Sequence, residues 1–113
     1  MSGTSRNATL DRIRRCVEGG DVRISLHGYD ELAADDILMD DVLGGVAAAI
    51  VVEDYPDAIR GPTVLLLQED RGGRPIHVVW GIAKNTAGPA VLITAYRPDP
   101  ALWSEDFRNR RQP

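Results

Sequence analysis

The residues of this chain that are best suited to proton transfer and phosphate binding lie in two strand-like runs in its last third. The first run, residues 75–83, contains His77, and the second, residues 90–97, ends in Tyr96 and Arg97. Histidine can act as acid or base because its unperturbed pKa lies near neutrality, and the arginine fork matches phosphate oxygens. The two runs therefore bring together the groups that act on a phosphodiester.

Metal-independent cleavage of RNA would use these properties. It needs a base for the 2′-hydroxyl proton, an acid for the leaving oxygen, and cations for the charge that develops on phosphorus. The sequence offers His77, His27, Arg97 and Tyr96 as catalytic candidates and Arg74 as a substrate-binding candidate. This chemistry requires no cofactor, and the spacing of His27 and His77 does not favour a metal site.

Each candidate also has a purely structural interpretation. His77 could form a hydrogen bond across strands, His27 could cap a helix, and Tyr96 could pack in the core or against the C-terminal residues. Arg97 could pair with the nearby Asp99, and Arg74, beside a turn, could simply be solvated. Both interpretations stay open at the level of the sequence.

The register of the last hairpin decides whether two of the candidates meet. If opposed residue numbers add up to an odd value, His77 and Tyr96 share a face of the sheet. If the value is even, they point apart, because a slip of one residue moves every side chain to the other face.

The hydrophobic pattern predicts helices first and strands afterwards. Leu10, Ile13 and Val17 recur at helical spacing before Gly19, which predicts a helix over residues 8–18. A short edge strand or extended segment over 22–26 leads to a second helix that begins near His27. The further predictions are a weak third helix from residue 39, a strand over 63–67, a turn over 70–74, the hairpin of 75–83 and 90–97, and a short helix over 101–108.

These elements define an α+β fold in which N-terminal helices pack on a three- or four-stranded antiparallel sheet. The 113 residues suffice for one domain, which we place at residues 8–108, with 1–7 and 110–113 disordered. We expect five apolar side chains of the strands to be buried: Leu65, Leu67, Val78, Trp80 and Ile93.

Charge is unevenly distributed along the chain. The net charge is −4, which argues against nucleic-acid binding driven by charge alone. Residues 1–29 carry five arginines against three acids, residues 30–70 carry Arg60 against eleven acids, and residues 71–113 carry seven cations against three acids. The acidic stretch around Asp30 to Asp57 therefore predicts a surface patch that attracts a basic partner.

Composition also indicates where the protein works. Cys16 is the single cysteine, so no intramolecular disulfide can form, as is typical of a reducing compartment. The most apolar stretch, Val46–Val52, has seven residues, whereas a membrane span needs about 20. The N-terminus lacks the apolar core of a signal peptide. We expect a cytoplasmic protein without membrane contact, whose homo-oligomeric state the sequence leaves open.

Several spaced motifs over residues 10–111 carry a family resemblance. They are Ser25-Leu26-His27, Asp41-Val42-Leu43, Glu53–Asp57, Arg60-Gly61-Pro62, Gly73–Val78, Ile93–Asp99 and Trp103. Together they resemble the bacterial family known as domain of unknown function 4258. That family is similar in turn to RelE-type and MqsR-type toxins of toxin-antitoxin pairs, which are small endoribonucleases.

The resemblance implies a RelE-like fold, a possible ribonuclease activity, RNA as substrate and a zinc-finger antitoxin as protein partner. The chain departs from the family pattern at Glu31, Asp35 and Asp36, which stand where that pattern carries Arg and an Arg-Gly ending. These acidic positions favour the alternative of a non-catalytic interaction module on the same fold with an acidic binding face. A small-ligand or regulatory domain is a third possibility.

Overall fold

The computed structural model describes residues 7–112, which fold into one mixed sheet with helices on one face. The elements are, in chain order, α1 Ala8–Glu18, β1 Val22–Ile24, α2 Leu26–Ala34, α3 Met39–Gly45, a 3₁₀ turn Val46–Ala48, β2 Ile50–Tyr55, β3 Thr63–Glu69, β4 Pro75–Ile82 and β5 Ala90–Tyr96.

The strand order is β1-β5-β4-β3-β2. Strands β2 to β5 pair antiparallel, whereas β1 pairs parallel with β5 through Val22 opposite Ala90 and Ile24 opposite Leu92. The α+β class is confirmed. Four strands pair antiparallel, within the predicted three or four, but the sheet is mixed, because the three-residue strand β1, far away in sequence, adds a parallel edge.

Helix α1 forms where the apolar periodicity predicts it. Its face of Leu10, Ile13 and Cys16 is buried, and the side chain of Asn7 accepts a hydrogen bond from the Leu10 amide at 2.8 Å. Such a cap satisfies one of the amides that a helix start leaves free. Asn7, expected to be disordered, is thus ordered as a cap, and residues 1–6 and 113 lie outside the described residues.

The main core lies between the helices and one face of the sheet, which we call the helical face. Alternate strand residues point into it. Four of them are completely buried: Leu66, Val78, Trp80 and Leu92. Helix α2 packs closely on β5, since a Cβ on Gly28 would lie 2.7 Å from Cδ2 of Leu92. A larger residue there would push the helix away from the sheet.

The opposite face, which we call the open face, is covered in part by the C-terminal segment, residues 98–112. The residues that point to it include Glu53, Leu65, Leu67, His77, Val79, Thr94 and Tyr96. Leu65 and Trp103 are buried at 3% exposure but lie outside the main core. A small second core therefore forms between the open face and the C-terminal segment.

The C-terminal segment consists of turns, so the helix predicted over 101–108 was wrong. Side-chain oxygens replace helical partners: Asp99 accepts from the Ala101 amide, and Asp106 accepts from the Arg108 amide. Short polar side chains of this kind compete with helical hydrogen bonds. Arg110, expected in a disordered tail, instead forms a β-bridge with Trp103.

A bulge in the last hairpin explains a second deviation. Val79 lies opposite Thr94, but Trp80 lies opposite Leu92, so Ile93 has no partner in β4. Ile93 is 36% exposed, and its predicted burial was wrong. Leu65, Val78 and Trp80 are buried as predicted, and Leu67 is half-buried.

Candidate functional site

His77 and Tyr96 lie side by side on the open face. They are directly opposed in the β4–β5 ladder, below the bulge, so the register at this point has the odd value that brings them together. The ring nitrogen Nδ1 of His77 is 3.2 Å from the Tyr96 hydroxyl oxygen, and the two rings meet edge to face. The pair joins two of the predicted site residues.

Both ring nitrogens of His77 have hydrogen-bond partners. Nε2 lies 2.8 Å from the backbone carbonyl oxygen of Phe107, which can only accept, so Nε2 carries the proton. In the neutral ring Nδ1 is then the acceptor, and Tyr96 donates its hydroxyl proton to it. Burial lowers the pKa of His77 and raises that of Tyr96, which keeps both groups neutral near pH 7.

The C-terminal segment seals this pair from solvent. The side chain of His77 is 0% exposed, and the Trp103 ring packs edge to face on it at 4.4 Å between centroids. The Arg110 guanidinium lies 4.8 Å from the Trp103 ring centre and donates two hydrogen bonds, of 2.6 and 3.1 Å, to Glu53 on β2. Access to His77 therefore requires the segment to move.

Glu53 is the anchor of the C-terminal segment on the sheet. Besides Arg110, it accepts a hydrogen bond of 2.7 Å from the Tyr55 hydroxyl. The Arg110 hydrogen bond holds the pKa of Glu53 below its usual range, and the carboxylate in turn raises the pKa of Tyr55. Glu53 is thus ionised at neutral pH.

Reasoning from the sequence missed Glu53 and Arg110 as parts of this site. Glu53 and Tyr55 share the phase of one strand, which is a signal that could have placed them on one face. Arg110 gave no comparable signal, because it follows a turn-rich stretch and pairs with a residue more than 50 positions away.

Arg97 is engaged in contacts of its own at the end of β5. Its guanidinium Nη2 is 2.9 Å from the Asp70 carboxylate, its Nη1 donates to the Pro75 carbonyl at 3.4 Å, and its backbone amide donates to Asp35 at 2.8 Å. Its expected partner Asp99 instead caps the Ala101 amide. The Nε atom of Arg97 is buried and has no hydrogen-bond partner among residues 7–112.

Arg74 and His27 are exposed on the surface. Arg74 lies in the β3–β4 turn, where its amide donates to the Asp70 carboxylate, so it is close to Arg97. His27 lies in the first turn of α2, 3.7 Å from Glu31, and Ser25 rather than His27 caps the helix. The Arg97 amide is bonded to Asp35 at the other end of α2. The rise of the helix between His27 and Asp35 is about 12 Å, so His27 lies far from Arg97.

The structure therefore brings together His77 with Tyr96. It connects Arg74 to Arg97 only through Asp70, which accepts from the Arg74 backbone amide and the Arg97 guanidinium, and it places His27 at the opposite end of α2 from Arg97. The His77–Tyr96 pair can exchange a proton only within its own hydrogen bonds while the C-terminal segment is in place. Among residues 7–112, no group of three or more His, Cys, Asp or Glu side chains is placed to hold a metal ion. No described helix is long and apolar enough to cross a membrane.

Comparison with known proteins gives one match. Residues 24–97, more than half of the chain, match the family described as domain of unknown function DUF4258. The chain belongs to this family. The part matched by DUF4258 contains the His77–Tyr96 pair and Glu53 but ends before Trp103, Phe107 and Arg110, which seal the pair. No curated protein and no solved structure matches the chain significantly.

Proposed function

We propose that this DUF4258 protein is a non-catalytic protein-interaction module that binds a basic partner through its acidic surface. The observation that carries this proposal is the state of His77, which is completely buried, neutral and bonded at both nitrogens. A general acid or base must reach its substrate within hydrogen-bond distance. In the conformation described, His77 acts as a structural link between the sheet and the C-terminal segment.

The acidic surface supports the same proposal. Several aspartates are exposed and have no ion pair with another described residue: Asp30, Asp36, Asp40, Asp54 and Asp57. Charges that are left free on a surface accelerate and orient the approach of an oppositely charged protein. The partner that complements them is a protein with a basic binding surface.

The experiment is capture of the native partner from source cells with the full-length chain, followed by measurement of its affinity at low and high salt. We expect a basic partner whose affinity falls at least several-fold as salt shortens the Debye length from about 30 Å to about 8 Å. Affinity that does not change with salt would mean that the acidic surface does not bind the partner.

Ribonuclease activity is the second candidate, and one observation favours it. His77 and Tyr96 are adjacent and their cover depends on an ion pair, Glu53–Arg110, whose arginine side chain is 64% exposed. If the C-terminal segment opens, the pair faces solvent on a RelE-like sheet, as the toxin resemblance implies. RNA, a zinc-finger antitoxin and the roles of Arg97, Arg74 and His27 belong to this second candidate.

The Arg110→Ala variant separates the two candidates. Under the ribonuclease hypothesis, loss of the ion pair increases RNA cleavage, and adding His77→Ala lowers it by about tenfold to a hundredfold, as expected for loss of an acid-base group. Under the interaction-module hypothesis, neither variant cleaves RNA, with or without ribosomes. Arg108→Ala, a neighbouring exposed arginine, serves as the matched control.

A further inference from the structure

An apolar groove opens at the end of the sheet that lies farthest from the β3–β4 turn. It has a volume of about 550 Å³ and is lined mainly by apolar atoms of Ile59, Gly81, Val91 and Ile93. Clefts of several hundred cubic ångströms accommodate large side chains or small molecules. The groove lies outside the His77 site, which occupies another part of the open face.

The groove exists because of the bulge in β5 and the glycine beside it. Ile93, which has no partner in the ladder, leans across Gly81, and a Cβ on Gly81 would lie 3.0 Å from Cδ1 of Ile93. The absent side chain of Gly81 therefore leaves the floor of the groove empty. Any larger residue at this position would fill it.

Exposed isoleucines border the groove. Ile59 in the β2–β3 loop is 93% exposed, and Ile93 is 36% exposed. A single exposed apolar residue is ordinary, but several that surround an apolar depression mark an interaction site.

An acidic pocket adjoins the groove. It has a volume of about 440 Å³, is lined by Asp54, Tyr55 and Asp57, and shares the residues Ala58 and Thr63 with the groove. Both aspartates are exposed and have no ion pair with another described residue. The surface thus continues without interruption from apolar to negatively charged.

We propose that the apolar groove and the acidic pocket together bind an extended segment of a basic partner protein. A large apolar side chain of the segment occupies the groove, and a lysine or arginine pairs with Asp54 and Asp57. This assignment rests on the proposed interaction function and specifies where and what that module binds.

The geometry sets the spacing of the two anchors in the partner. Gly81 pairs with Thr63, and Thr63 pairs with Tyr55, so two strand spacings, about 10 Å, separate the groove floor from the acidic pocket. An extended chain advances about 3.3 Å per residue. The cation is therefore expected two to four residues from the apolar anchor.

Charge also determines which end of the bound segment carries the cation. Arg60 lines the groove, so a cation lies on the groove side. A segment that is basic throughout would be repelled there. The complementary segment carries its cation only at the end that meets Asp54 and Asp57.

The test begins with selection of randomised peptides displayed on phage against the immobilised full-length chain. We expect enriched peptides to contain a large apolar residue and a lysine or arginine two to four positions away. A synthetic peptide of the enriched sequence is then titrated by fluorescence anisotropy against three variants. Ile59→Ser is expected to bind it at least about tenfold more weakly, since an apolar contact is lost.

The double variant Asp54→Asn/Asp57→Asn is expected to weaken binding about fivefold at low salt and less at high salt. Glu105→Gln is the matched control and should bind as the wild type does, since Glu105 is an exposed acid whose neighbours Asp106 and Phe107 lie beside Asp70 at the β3–β4 turn. Failure of any peptide to enrich, or equal affinity for all variants, would overturn the assignment of the groove. So would loss of self-association in Ile59→Ser, because the occupant would then be a second copy of this chain.

The experiments distinguish a wrong assignment of the groove from a wrong interaction function. If the captured native partner binds Ile59→Ser as tightly as wild type but still loses affinity with salt, the groove assignment is wrong and the module remains. If no native partner is captured, or its affinity shows no salt dependence, binding through the acidic surface is itself wrong.

Discussion

At the scale of single residues, His77 links three parts of the molecule. Its ring accepts a hydrogen bond from the Tyr96 hydroxyl on β5, donates one to the Phe107 carbonyl oxygen and packs against Trp103. A buried polar group is costly unless its hydrogen bonds are satisfied, and here both are. The ring therefore stabilises the fold only in its neutral form.

This state predicts a specific pH dependence of stability. The pKa of histidine is about 6.5 in the unfolded chain, and burial lowers it in the folded protein. Below that unfolded value the unfolded chain binds more protons than the folded one. The stabilisation is thus complete above about pH 6.5 and is lost progressively as the pH falls through and below that value.

Urea unfolding between about pH 7.5 and 5.5 measures this loss, and the window avoids most carboxylate titration. His77→Phe should be destabilised by about 1–3 kcal/mol, since Tyr96 and Phe107 lose their partner, and should show a smaller pH slope. His27→Gln, which changes an exposed histidine, is the control and should leave the free energy of unfolding at pH 7.5 within about 0.5 kcal/mol of the wild type. If the free energy of unfolding of His77→Phe depends on pH as that of the wild type does, protonation of His77 does not destabilise the folded protein.

At the scale of elements, the C-terminal segment is held to the sheet by contacts of unequal strength. Trp103 is buried, whereas the Glu53–Arg110 pair lies near the surface and is screened by solvent. Exposed ion pairs contribute about 0.2–1 kcal/mol. The last residues of the segment should therefore open more readily than the Trp103 contact.

We expect Arg110→Ala to lower the free energy of unfolding by no more than about 1–2 kcal/mol, the sum of an exposed ion pair and a cation–π contact. Hydrogen exchange should accelerate at the amides of Asn109 and Arg111, which are bonded within the segment. Amides of β4 should keep their wild-type rates. Exchange that is unchanged at Asn109 and Arg111 would show that Arg110 does not hold the segment.

Helix α3 offers a pair of adjacent glycines with opposite surroundings. A Cβ on Gly44 meets nothing within 4 Å, whereas one on Gly45 would lie 2.9 Å from the Glu69 carbonyl oxygen and 3.0 Å from Nε2 of Gln68. Alanine is better than glycine in a helix by about 1 kcal/mol. Gly44→Ala should therefore raise the melting temperature by a few degrees and Gly45→Ala should lower it. Equal shifts of the same sign would contradict the close packing of α3 on β3.

Elements with local signals could be predicted from the sequence. The periodicity of α1 and the alternation of β4 and β5 depend on neighbours in the chain, and both were correct. The alternation over 22–26 predicts an edge strand or extended segment, but not its parallel pairing with β5, because that partner lies almost 70 residues away. The seal over His77 could not be predicted either, because side chains such as Asp99 and Asp106, rather than a periodic pattern, determine the turns of the C-terminal segment.

At the scale of the whole molecule, the acidic stretch of the sequence is divided between two ends of the sheet. Asp35 and Asp41 lie near the β3–β4 turn, where they bond the Arg97 amide and the Arg71 guanidinium. Asp54 and Asp57 lie at the opposite end, beside the apolar groove. The single acidic patch expected from the sequence is thus partly neutralised at one end and free at the other.

This division predicts that substitutions at the two ends have different effects on stability and on binding. Asp41→Asn removes a bond to Arg71, so it should lower thermal stability slightly and leave the affinity for the native partner unchanged. Asp54→Asn/Asp57→Asn should leave thermal stability unchanged and reduce that affinity. Differential scanning calorimetry and partner titration, done on the same preparations, measure both effects. An exchange of the two outcomes would place the binding surface at the β3–β4 turn.

We propose that His77 has a structural role and that the protein acts by binding. The most direct test is incubation of the purified wild-type protein with RNA, with and without ribosomes, beside His77→Phe. We predict no cleavage that depends on His77. Cleavage by the wild-type protein that is lost in His77→Phe, while the variant remains folded, would contradict the claim and assign His77 to catalysis.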